Sequence, residues 1–214
     1  MTLLKVGISI LEQHQSGGGI SRTDLLLWKA LRDASYLDKI TPGNLNLTGD
    51  FTFEFWVKFD NLNAAYNIFQ KKTTNQVAGY GVHVNTSGDF RVEYSDGNNH
   101  FDSTSTQGVS ALDTYFYAGI TKTSSQVKIY IDGVLIDTIS NGSAAISGNS
   151  DDLTIASGTS GLANSTSLNG ILDDLRIYNR TLTADEITLH YNLGYGKYKT
   201  FISEFSNEFS SEFK

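Results

Sequence analysis

The stretch FTFEFWVKF, Phe51 to Phe59, places Phe51, Phe53, Phe55, Val57 and Phe59 on one parity and Thr52, Glu54, Trp56 and Lys58 on the other. Successive side chains of an extended strand point to opposite faces, so this period of two describes a strand with one face in a core. The same alternation recurs downstream. Tyr80, Val82 and Val84, the turn Ser87-Gly88, and then Phe90, Val92 and Tyr94 read as a hairpin. Val127, Ile129 and Ile131 lead into Asp132-Gly133, a pair suited to positive φ, and Val134 to Ile139 returns. Short strands at regular spacing with turn signals between them imply two antiparallel sheets packed face to face: an all-β sandwich or jelly roll.

Composition agrees with that architecture. The 214 residues include 20 Gly and one Pro, with 39% hydrophobic content, enough for one sizeable core. A formal net charge of −7 argues against a nucleic-acid partner, which needs Lys and Arg to displace counterions. Cysteine is absent, so neither disulfides nor thiolate metal sites hold the fold. The apolar stretch Val6 to Leu11 is flanked by Lys5 and Glu12 and does not read as a signal peptide. No run approaches the roughly 18 apolar residues of a membrane span. A soluble protein is expected, placed outside a cell or on a virion surface by another route.

Three segments follow: an arm over 1–35, a sandwich over 36–194 and a tail over 195–214. In the arm, Thr23 to Ala34 reads equally as a strand or a short helix, because Leu25, Leu26, Leu27 and Trp28 are contiguous. The sandwich closes with NGILDDLRIYNRTLTADEI, Asn169 to Ile187, where a strand pattern runs into a helix start. Thr183 and Glu186 have capping-box spacing, and Leu182 and Ile187 stand at hydrophobic-staple positions. A short helix is expected from Ala184 to near Gly194, with Ile187 and Leu189 to Leu193 sealing an open end of the sandwich.

The order FTFEFWVKF, NIFQK, YGVHV, KIYIDGVLI, LTIAS and NGILDDLRIYNRTLTADEI resembles the laminin-G-like, concanavalin A-like lectin/glucanase domain family over about residues 36–193. The resemblance implies a two-sheet antiparallel jelly roll with one short C-terminal helix. It departs where many members carry a Trp-His pair, since Tyr115-Phe116-Tyr117 stands there. This sandwich hosts lectins, adhesion modules, glycan hydrolases and structural parts, so activity must be argued from residues. The E-x-D-x-x-E run that would line up catalytic carboxylates is missing, and adjacent Asp173 and Asp174 point to opposite faces of a strand. His14, His83, His100 and His190 are scattered and no G-x-S-x-G elbow occurs. The chain reads as a non-enzyme.

Some members hold calcium where the last strand meets the first, and Asp38 and Asp173 (or Asp174) are the matching acids, with SDGNNH and SGNSDD as other oxygen-rich loops. The competing reading is that these loops are turns and that Asp174 pairs with Arg176. For a glycan ligand, His83, Arg91 and Tyr130 lie opposite the apolar stripes and are the candidate contacts, against the alternative that they are simply solvated.

The tail FISEFSNEFSSEFK spaces Phe201, Phe205, Phe209 and Phe213 four apart. As a helix these make a slowly drifting stripe and as a strand they share a face; either is an apolar ridge that needs cover, from this sandwich or from a neighbouring subunit. The expected function is a non-catalytic recognition or attachment module, glycan- or surface-binding, displayed on a cell or particle such as a phage and anchored through both termini by protein partners or self-assembly. The alternatives are a purely structural assembly protein and a divergent glycan-degrading enzyme.

Overall fold

The computed structural model describes residues 4–5, 45–72, 78–141, 144–151, 153–156 and 166–199. Most of the expected arm, the tail beyond residue 199, Asp38, and Phe201, Phe205, Phe209 and Phe213 lie outside these residues.

The strands in chain order are β1 (Leu4–Lys5), β2 (Phe51–Phe59), β3 (Tyr66–Lys71), β4 (Gly79–Val84), β5 (Asp89–Ser95), β6 (His100–Gly108), β7 (Tyr115–Lys122), β8 (Gln126–Ile131), β9 (Val134–Ser140), β10 (Thr154–Ile155), β11 (Thr166–Ser167) and β12 (Gly170–Tyr178), followed by helix α1 (Ala184–Lys199). Two sheets form among them. The first has the order β1-β12-β2-β7-β8-β9; the second has β10-β3-β4-β5-β6, with β11 also on β3. Every pairing is antiparallel except the short β11–β3 contact. This is the expected jelly-roll sandwich.

The core is the interface that the period of two announced. Phe51, Phe53, Phe55, Val57 and Phe59 of β2 face Phe69, Tyr80, Val82, Val84, Phe90, Val92 and Tyr94 of the second sheet, and all are buried. Ring pairs bridge the layers: Phe53–Phe69 at 5.0 Å, Phe51–Tyr94 at 5.6 Å and Phe55–Phe90 at 6.0 Å, each edge-on. Each such side chain contributes roughly 1.5–3 kcal/mol on burial, so this row alone dominates any single polar contact. Both hairpins turn where expected, with Gly88 at φ 84°, Asp132 at φ 51° and Gly133 at φ 79°. At the β6 and β9 borders, Asp137 accepts hydrogen bonds from the Thr106 N–H (2.8 Å) and hydroxyl (3.1 Å).

Helix α1 starts as read. Glu186 N–H donates to the Thr183 hydroxyl (3.2 Å), and Thr183 N–H donates to the Glu186 carboxylate (2.9 Å). Leu182 and Ile187 are both buried. Its course differs from expectation in three ways. The helix continues through Gly194 to Lys199. It lies across the outer face of the first sheet, not over an open end, its Ile187 clustering with Trp56, Tyr117, Tyr130, Tyr178 and Leu182. And Leu189 and Leu193, expected to cover apolar edges, are 55% and 75% exposed. Gly194 does not stop the helix and instead lets it lie close on the sheet: a Cβ there would come within 2.7 Å of the Trp56 indole. Strand β2 is thus buried on both faces, by the second sheet and by α1.

Candidate functional site

The outer face of the second sheet carries the polar chemistry. Register sets Asn67, His83, Arg91 and Thr104 in one cross-strand row and Gln70, Gly81, Glu93 and Asp102 in the next, with Gly79, Ser95 and His100 beyond. Lys72, just past β3, reaches the same place.

Glu93 is the hub. Its carboxylate is buried and in contact with the Lys72 ammonium, and lies 2.9 Å from Arg91 Nη2, 3.5 Å from His83 Nε2 and 3.7 Å from His100 Nε2. Arg91 also forks onto Asp102, Nε to Oδ1 at 2.7 Å and Nη2 to Oδ2 at 2.6 Å. Planar two-point pairing of this kind holds both side chains in a fixed plane. Two cations and two carboxylates balance, and the histidines complete the cluster.

The environment sets protonation. Burial, then the positive charges of Lys72 and Arg91, hold His83 down to about 4, a neutral imidazole at physiological pH. Burial and the Arg91 charge lower Lys72 to about 8. Burial also lowers His100, assisted by Lys72. For Asp102 burial works upward, but the Arg91 hydrogen bonds and charge outweigh it and keep the carboxyl below its usual range.

Of the candidate sugar contacts, the structure brings His83 and Arg91 together as direct cross-strand neighbours. Tyr130 is elsewhere. It belongs to β8 in the first sheet and is 4% exposed under α1, because the helix covers the face to which its parity points it. His83 is not solvated either, at 4% exposure. The accessible groups are Arg91, Asp102 and His100, with side chains 35%, 34% and 25% exposed. Sequence reading missed Lys72, Glu93, His100 and Asp102 as members of this cluster. Parity held the signal for one of them: Glu93 is two residues from Arg91 on the same strand and must share its face.

Of the acids proposed for calcium, Asp38 lies outside the described residues, and Asp173 and Asp174 hold other partners. A register shift interrupts β12 between Asp173 and Arg176. There Asp173 Oδ1 accepts the Asp174 N–H at 2.7 Å, while Asp174 takes both Arg176 Nε (3.1 Å) and Nη2. Among the described residues no group of three or more His, Cys, Asp or Glu gathers to hold a metal ion.

A family model described as "Concanavalin A-like lectin/glucanases superfamily" matches residues 33–188. The chain belongs to the concanavalin A-like lectin/glucanase superfamily. Solved structures share the sandwich fold. The binding domain of Paraclostridial Mosquitocidal Protein 1 aligns at TM-score 0.55 and 19% identity, covering 70% of this chain and 39% of that one. The Botulinum Neurotoxin serotype G binding domain aligns at 0.54 and 18%, covering 69% and 37%. The CBM40 of a Ruminococcus gnavus IT-sialidase, bound to α2,3-sialyllactose, aligns at 0.55 and 16%, covering 68% and 83%. This chain spans about two fifths of the two toxin domains. A search of curated protein sequences finds no significant match. Among the described residues no helix is long and apolar enough to cross a membrane.

Proposed function

We propose that this lectin-like domain is a non-catalytic glycan-recognition module, displayed on a cell or particle surface, whose ligand sits on the outer face of the second sheet at Arg91, Asp102 and His100. The observation that carries the reading is the half-exposed Arg91–Asp102 fork backed by buried Glu93 and Lys72. A guanidinium edge and a carboxylate, fixed side by side, present donors and acceptors to vicinal hydroxyls without paying to order themselves first. Superfamily membership and the toxin and CBM40 binding domains among the structural neighbours support it.

The same geometry argues against hydrolysis. Glu93 and Asp102 are the nearest approach to a carboxylate pair on this face, yet they share one guanidinium nitrogen. A general acid needs a raised pKa, whereas Asp102 is lowered, and Glu93 is covered. A glycan array with the wild-type chain and with Arg91→Ala tests the proposal. Binding that drops tenfold or more in the variant, at unchanged melting temperature, supports it; an array with no binding overturns it.

A second role in the same chain is self-association with another copy. Exposed Leu189 and Leu193 lie four apart on α1, and the sequence resumes that spacing at Phe201, Phe205, Phe209 and Phe213. Light scattering should give a smaller mass for Leu193→Glu, or after removal of residues 197–214, than for the intact chain.

A further inference from the structure

Some members of the family hold calcium, and the oxygen-rich 147–151 loop is one place where this structure gathers oxygens around a cation. The occupant there is a side chain. Lys71 Nζ lies 2.9 Å from the Asn149 carbonyl oxygen, 2.8 Å from Asn149 Oδ1 and 2.7 Å from the Asp151 carbonyl oxygen. These are charge-assisted N–H···O lengths, longer than the 2.3–2.6 Å of calcium coordination, and an ammonium has three protons to give. The residue is 1% exposed, so its charge has left bulk water and depends on these oxygens. Asn149 is itself held in place: its Nδ2 donates to the Lys71 carbonyl (3.0 Å), and its N–H donates to Asn46 Oδ1 (3.1 Å). Of the other acids named for calcium, the two among the described residues are engaged, with Asp174 on Arg176 and Asp173 on a backbone N–H.

We propose that this domain carries its structural cation covalently: the Lys71 ammonium fills the oxygen site of the 147–151 loop, so that the sandwich and its polar face stand without calcium. The loop it clamps borders that face. Ser147 N–H donates to the Ser95 carbonyl (3.2 Å) and the Ser147 hydroxyl to the Asp96 carbonyl (3.1 Å), while Asn149 Nδ2 donates to the Ala78 carbonyl beside Gly79. Gly79, Ser95 and His100 form the third row of the site. Lys71 therefore links a buried charge to the shape of the rim where His100 sits, two residues from the Arg91–Asp102 fork in register.

The test is a set of thermal melts of the full chain in excess EDTA and in millimolar calcium chloride, on the wild type, Lys71→Met and Lys71→Gln. Glutamine keeps two donors and serves as the folded comparison if methionine prevents folding. The wild-type melts should coincide. The variants should melt several degrees lower, and calcium should recover part of that loss because the three oxygens have then lost their cation. Any one of three results overturns the proposal: a wild-type midpoint that falls in EDTA, variants that melt with the wild type, or folded variants whose midpoints ignore calcium. Glycan binding is not read in this experiment, so its failure and that of the recognition proposal are separate.

Discussion

His190 on α1 places Nδ1 2.9 Å from Oε1 and 3.0 Å from Oε2 of Glu54 on β2, joining the helix to a carboxylate that is 1% exposed. Glu54 also accepts the Tyr178 hydroxyl at 2.9 Å and that of Tyr117, and Arg176 Nη1 stands 3.7 Å away. A buried carboxylate stripped of one donor costs about 1–3 kcal/mol. His190→Ala should therefore destabilise the chain by that amount, and hydrogen exchange should quicken first along α1. His190→Gln, which keeps a donor, should recover part of the loss.

The Gly194→Ala variant tests packing against propensity. In an open helix that change stabilises by up to about 1 kcal/mol. Here the added methyl meets the Trp56 indole, itself 1% exposed and stacked on Tyr191 at 5.8 Å. Overpacking costs about 1–3 kcal/mol, so the sign should reverse and denaturant melts should show a lower midpoint.

Acid should weaken the fold through His83. The unfolded imidazole takes a proton near 6.5, the folded one only near 4, with burial first and then Lys72 and Arg91 opposing it and Asp102 favouring it. Between those values the unfolded state binds more protons, so stability falls as pH drops from about 6.5 to about 4, by at most about 1.4 kcal/mol per pH unit for one proton. His100 is shifted the same way and adds to the slope. Urea melts of His83→Gln across this window should show a shallower dependence than wild type.

The helix start supplies a separate window at lower pH. Hydrogen bonds from Arg180 and from the Thr183 N–H hold Glu186 down to about 2 from 4.5. A depressed carboxyl stabilises above its unfolded pKa, and that contribution disappears as pH falls from about 4.5 toward 2. Thr183→Ala removes the cap acceptor and should cost about 0.5–2 kcal/mol at neutral pH, measured by denaturant unfolding.

What could be read in advance was what local rules decide. The alternation from Phe51 to Phe59 and the turns at Gly88 and Asp132-Gly133 depend only on parity and φ, and Thr183 and Glu186 only on spacing. Where tertiary contact decides, the sequence was silent. Gly194 has the look of a helix terminator because a missing side chain signals an end; the indole beside it makes that absence a requirement for continuing. Tyr130 was placed correctly by parity on the side away from Val127 and Ile129, but parity does not say that a helix from residue 184 onward comes back to cover that side. The site itself was half visible. Arg91 and His83 carried a parity argument, whereas Asp102 joins them through the β5–β6 register, which is fixed by long-range pairing and a register shift near Arg91.

The bonds from Thr106 to Asp137 have a consequence for life at high concentration. Strands β6 and β9 are the terminal members of their sheets on that side, and an unpaired N–H on such a strand invites a foreign chain to add on. By capping one of those donors with a carboxylate from the opposite layer, the domain turns two neighbouring sticky borders into a seam, and sheet-to-sheet aggregation loses its template there.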